Sequence, residues 1–116
     1  MKNLKIGEYI RTSTGKIEKI TGIYKNDGFI DTDKEVCVDF VKIAKHSKNI
    51  IDLIKIGDYI NGHSVVDITE NIYNQKIVIT EVDGKDGAIR HNYLEQSIKE
   101  ILTYEQYEQN CFRLEG

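Results

Sequence analysis

The sequence predicts an all-β protein with short helices, built from two similar units in tandem. Three observations carry this reading. The 116-residue chain contains no proline, as suits paired strands, where proline would remove ladder hydrogen bonds. Its Val, Ile, Thr and Tyr residues fall in short runs bounded by Gly, Asn and Asp, the punctuation of strands and turns. And Lys5-Ile6-Gly7-Glu8-Tyr9-Ile10 returns as Lys55-Ile56-Gly57-Asp58-Tyr59-Ile60, identical at five of six positions. A second, looser similarity links Lys19-Ile20-Thr21-Gly22-Ile23-Tyr24 to the segment from Asp67 to Tyr73. The units are read as residues 1–54 and 55–116. No proline- or glycine-rich linker separates them. Each alone has a small core, so they are expected to pack as one rigid unit.

In the first unit, residues 9–12 read as a strand and residues 16–24 as a longer one. The apolar spacing at 17, 20 and 23 is close to helical, but β-branched content and Gly22 favour a strand with a bulge. Asn26-Asp27-Gly28 is a turn, and residues 29–32 form a short strand. Residues 36–43 read as one long strand of open register, because either alternate set could face inward. Ser47 is placed to cap a helix over residues 48–54, with Ile50, Ile51 and Ile54 on one face.

The second unit follows the same plan. Asn61-Gly62 is a type I′ hairpin candidate. Residues 65–68, 76–82, 88–93 and 97–102 read as strands, with a loop over residues 83–87. Thr103-Tyr104-Glu105-Gln106 is a capping box that opens a helix reaching residue 109. Residues 111–114 read as a final strand.

Composition excludes several classes. Sixteen basic residues against nineteen acidic ones give a net charge of −3, unlike the basic footprint of most nucleic-acid-binding domains. No apolar run approaches membrane-spanning length, and the first five residues lack the apolar stretch of a signal peptide. A cytoplasmic setting without membrane contact is expected. Cys37 and Cys111 form neither a disulfide framework nor a metal site. His46, His63 and His91 stand apart in the sequence, so no metal and no cofactor are expected. Asp27, Asp31, Asp33 and Glu35 read as a solvated acidic loop, and Glu81, Asp83 and Asp86 as acids at an exposed turn. Because no nucleophile–base motif is present, the chain is expected not to be an enzyme.

Strand, strand, strand, strand, short helix, strand is the order of a small barrel. The opening Lys-Ile-Gly-Asp-Tyr-Ile resembles the first strand of SH3-like and KOW-type domains, where glycine allows a tight backbone approach. The resemblance covers residues 5–24 and 55–69 and implies two SH3-like repeats. Residues 45–62 and 98–108 are similar to small proteins of phages and prophages in low-GC Gram-positive bacteria. That resemblance implies a phage context and raises an anti-defence role, such as inhibition of a CRISPR-type component.

Candidate binding residues follow. Tyr9 and Tyr59 occupy equivalent repeat positions, where SH3-like barrels place recognition aromatics. Lys45, His46 and Lys48 belong to a basic run, and Arg90, His91 and Tyr93 combine cation and aromatic on one strand. Three functions are weighed. The first is occlusion of a host protein, the second is KOW-type nucleic-acid binding, and the third is capture of a small signalling nucleotide where the repeats meet.

Overall fold

The computed structural model describes residues 3–110. It is all-β with short helices, and it divides into two compact units, Met1–Leu53 and Ile54–Gly116.

The first unit holds β1 (Tyr9–Thr12), β2 (Ile17–Tyr24), β3 (Phe29–Thr32), β4 (Val38–Asp39) and β5 (Ile43–Ser47). They form one antiparallel sheet in the order β4-β3-β2-β1-β5. Leu4, Ile10, Ile20, Ile30, Val38 and Ile43 make its core, with Ile23 and Phe40 packed against them. Each such side chain contributes about 1.5–3 kcal/mol on burial. The expected bulge is present in β2, where the register against β3 shifts between Ile20 and Gly22. In the Asn26-Asp27-Gly28 turn, the Asp27 and Gly28 amides both donate to the Tyr24 carbonyl.

The second unit repeats the topology. Its strands are β6 (Tyr59–Ile60), β7 (His63–Glu70), β8 (Lys76–Gly84), β9 (Gly87–Tyr93) and β10 (Ile101–Leu102), followed by α1 (Tyr104–Asn110). The sheet order is β10-β6-β7-β8-β9. In both units the first strand therefore lies between the second and the fifth. A 3₁₀ turn precedes the fifth strand in each, at Phe40–Lys42 and at Glu95–Ser97. Asn61 and Gly62 both adopt positive φ, 52° and 83°, the I′ geometry read from the sequence.

The hexapeptide repeat is a repeated hydrogen-bond pattern. Glu8 N–H donates to the Lys5 carbonyl, and Asp58 N–H to that of Lys55, both at 3.1 Å. Gly7 (φ 94°) and Gly57 (φ 100°) hold left-handed backbone. Their amides donate to Ile20 and Val65 carbonyls at 3.0 Å, and the Ile20 and Val65 amides return to Glu8 and Asp58 carbonyls at 2.8 Å. Each acid also accepts from the amide three residues back, Lys5 onto Glu8 Oε1 at 2.8 Å and Lys55 onto Asp58 Oδ2 at 2.7 Å. Ile20 thus corresponds to Val65, not to the Ile68 that the looser sequence similarity suggests. The reason is that the link between the first two strands is shorter in the second unit, running from Ile60 straight to His63. Both second strands carry a bulge just after this residue.

Several local expectations change. The long strand over residues 36–43 is broken. Cys37 has a positive φ of 57° and donates its amide to Asp31 Oδ1, and Asp39 caps the 3₁₀ turn that ends β4. The helix over residues 48–54 is one 3₁₀ turn, Ile50–Leu53. Ser47 remains in β5, paired with Tyr9, and its hydroxyl accepts from Asn49 two residues on. The strand over residues 97–102 shrinks to β10. Asn61 Oδ1 takes the Lys99 and Glu100 amides and its Nδ2 donates to the Ser97 carbonyl, so a side chain replaces the ladder there. The loop over residues 83–87 is a tight hairpin, with Gly84 opposite Gly87. The capping box is present: Gln106 N–H donates to Thr103 Oγ1 and Thr103 N–H to Gln106 Oε1, both at 3.3 Å. The final strand read at residues 111–114 lies outside the described residues.

Candidate functional site

In the second unit, β10 pairs with β6 so that Leu102 stands opposite Tyr59. Thr103 is fully buried and starts α1 at once, which turns the chain back beside β6. Helical spacing puts Tyr104 and Tyr107 on one face. The Tyr107 ring lies 4.9 Å from the Tyr59 ring, tilted by 33°, a favourable aromatic pair. Tyr59, Gly62, Glu100, Ile101, Leu102 and Tyr107 line a groove of about 500 Å³. Leu102 is 40% exposed and Tyr107 38%. The sequence pointed to Tyr59 alone. The signal for Tyr107 was present in the two tyrosines three apart, one inside the capping box and one just after it.

Tyr9, the equivalent residue of the first unit, has a different neighbour. The Lys19 ammonium lies 5.7 Å from its ring centroid. The same repeat position is therefore cation-covered in one unit and faces a groove in the other.

The basic run is not gathered on one face. Lys45 lies opposite Arg11 and His46 opposite Ile10, so their side chains leave β5 on opposite sides. His46 Nδ1 lies 3.2 Å from Glu8 Oε1. Lys48 is exposed beyond the end of β5. Strand alternation also divides Arg90 from His91 and Tyr93. Arg90 Nε donates to Glu81 Oε2 at 3.2 Å, which places Glu81 on β8 as an ion-pair partner and not at the turn.

His91 and Tyr93 gain a partner that the sequence did not suggest. His63, separate in the chain, stacks on His91 at 5.1 Å and 22°, and its Nδ1 lies 3.3 Å from the Tyr93 hydroxyl. Thr80, fully buried on the intervening β8, is the register partner of His91.

The first unit holds a paired carboxyl group that sequence spacing could not reveal. Glu18 is only 4% exposed and accepts from Thr32 Oγ1 at 2.6 Å. Thr32 Oγ1 in turn accepts from the Lys34 and Glu35 amides. Burial pushes the Glu18 carboxyl above the ordinary range, and the adjoining Glu35 carboxylate adds to the rise. Hydrogen bonds from Glu18 and then Lys16 hold Glu35 below that range. The two carboxyls are thus pushed in opposite directions. A cleft of about 340 Å³ beside them is lined by Thr12, Lys16, Glu35, Cys37 and Lys42 among others, but not by the buried Glu18.

The acids read as a solvated loop build turns instead. Asp33 Oδ1 accepts from the Lys19 amide and Asp31 from the Cys37 amide and the Tyr24 hydroxyl. Among the described residues, no three His, Cys, Asp or Glu side chains come together as a metal site, and no helix is long and apolar enough to cross a membrane. Comparison with family models, with curated proteins and with solved structures finds no match.

Proposed function

We propose that this chain is a non-enzymatic protein-binding module that docks through the tyrosine groove of its second unit. The observation that carries the reading is the Tyr59–Tyr107 pair with Leu102 beside it, a partly exposed apolar groove on a braced scaffold. Buried aromatic and aliphatic anchors at such places dominate binding energy. The shared strand order with a 3₁₀ turn before the fifth strand supports the SH3-like reading of both repeats, and recognition by rim aromatics goes with it. The phage resemblance at residues 45–62 and 98–108 makes a bacterial host protein the partner class, a CRISPR-type defence component among them. On this reading the module acts in the host cytoplasm by covering a functional surface.

The test is affinity capture from host lysate with the wild-type chain and with Leu102→Asp. Recovery of a stoichiometric protein by the wild type, lost with the variant, supports the proposal. Equal recovery by both, or none by either, overturns it. The nucleic-acid reading has less support, because Lys45 and His46 leave β5 on opposite sides, and His46 and Arg90 each face an acid. Salt-sensitive DNA or RNA retardation that weakens in Lys45→Ala or Lys48→Ala would favour it instead.

A further inference from the structure

We propose that the occupant of the tyrosine groove is a cationic, amphipathic segment of the partner, one that sets Lys or Arg side chains beside large apolar ones. This rests on the reading of the groove as a docking surface and specifies what it takes.

Charge is divided unevenly along the chain. Residues 54–116 contain six Lys and Arg against eleven Asp and Glu, whereas residues 1–53 contain ten against eight. The chain's acidity therefore lies wholly in the unit that carries the groove, at a net −5 against +2. The groove itself is acidic at its rim. Glu100 is exposed and lines the groove. α1, which forms one wall through Tyr107, carries Glu105 and Glu108 and no Lys or Arg. Lys99 precedes Glu100 in the chain but is not a lining residue.

Tyrosine faces attract cations, Arg above all, while Ile101 and Leu102 offer no partner to a charged group and favour aliphatic contact. A purely acidic segment meets repulsion from Glu100. A purely apolar one leaves that carboxylate desolvated and unpaired, at a cost. A segment carrying both side-chain types satisfies the aromatic floor, the aliphatic wall and the acidic rim together. Charge complementarity of this kind sets specificity and association rate more than bulk affinity.

The experiment is fluorescence anisotropy on the full chain with three short labelled peptides, composed of Lys and Leu, of Glu and Leu, and of Lys and Ser. The Lys/Leu peptide is expected to bind most tightly and to weaken as salt rises from about 0.05 M to about 0.5 M. Glu100→Lys is expected to weaken it roughly three- to tenfold. Leu102→Asp is expected to abolish binding even though it adds a negative charge, and Tyr107→Ala probes the same surface at a second point. Circular dichroism confirms that each variant is folded. If the Glu/Leu peptide binds equally well and Leu102→Asp abolishes it, the groove is a docking surface but the cationic preference is wrong. If the Lys/Ser peptide matches the Lys/Leu peptide and ignores Leu102, binding is electrostatic alone and the proposal falls. If no peptide responds to Leu102 or Tyr107, the groove reading falls with it.

Discussion

The Asp58 carboxylate accepts from the Tyr104 amide, 46 residues further along the chain, at 2.8 Å. Its other oxygen accepts from the Lys55 amide, and the residue has no exposed surface. One side chain thus closes the repeat turn and ties the first residue of α1 to it. Asp58→Ala leaves two amides unsatisfied and is expected to cost about 2–3 kcal/mol. The corresponding Glu8→Ala, at a position with 15% of its side chain exposed, is expected to cost about 1 kcal/mol or less. Urea midpoints at constant m-value check both.

The opposite shifts of the Glu18 and Glu35 carboxyls make stability depend on pH. Glu18 is raised by burial, so its contribution is full below the ordinary carboxyl range and is lost as pH rises through its own value. Glu35 is lowered by its bonds to Glu18 and Lys16, so its contribution holds above the ordinary range and is lost as pH falls through its own value. Together they favour the mildly acidic window between. Glu18→Gln keeps an acceptor for Thr32 and never ionises. The variant is expected to gain on wild type as pH rises from about 5 to about 8, as read by urea midpoints at each end.

Gly57→Ala places a Cβ at a φ of 100°. Space is not the obstacle, since the nearest side-chain atom, on Tyr104, would be 3.8 Å away. The backbone conformation itself is disfavoured for L residues, and a loss of about 1 kcal/mol or more is expected. Thermal melts of Gly57→Ala beside a surface control such as Lys85→Ala separate this strain from nonspecific effects.

Refolding is expected to lack the slow phase of roughly 10–100 s that X-Pro isomerisation produces, because the chain has no proline. Double-jump refolding checks this. The fast-phase amplitude should not change with the time spent unfolded.

What the sequence revealed was local. The Lys5–Glu8 and Lys55–Asp58 turn bonds and the Thr103–Gln106 capping box each close within three residues, and Asn61-Gly62 is marked by its own turn residues, so local sequence specifies them. Tyr59 was identified because its hexapeptide recurs. Tyr107, Leu102 and Glu100 were not, because the groove exists only once β10 pairs with β6 and α1 turns back. His63 meets His91 across an intervening strand, and Glu18 meets Glu35 through Thr32. Neither pairing leaves a spacing to read. The division of Arg90 from His91 was legible from alternation in a strand, but composition pointed to a shared surface.

The lack of proline has a final consequence at β9. This seven-residue strand ends its sheet among the described residues, and six of its residues are exposed. Sheet proteins commonly guard such edges with proline, lysine or a bulge against strand-to-strand aggregation. β9 has neither proline nor lysine, its register with β8 is unbroken, and its arginine is occupied by Glu81. A second extended chain can add itself here. Ile89, itself 49% exposed, is where a lysine is expected to guard this edge, and the solubility of Ile89→Lys beside the wild type checks it.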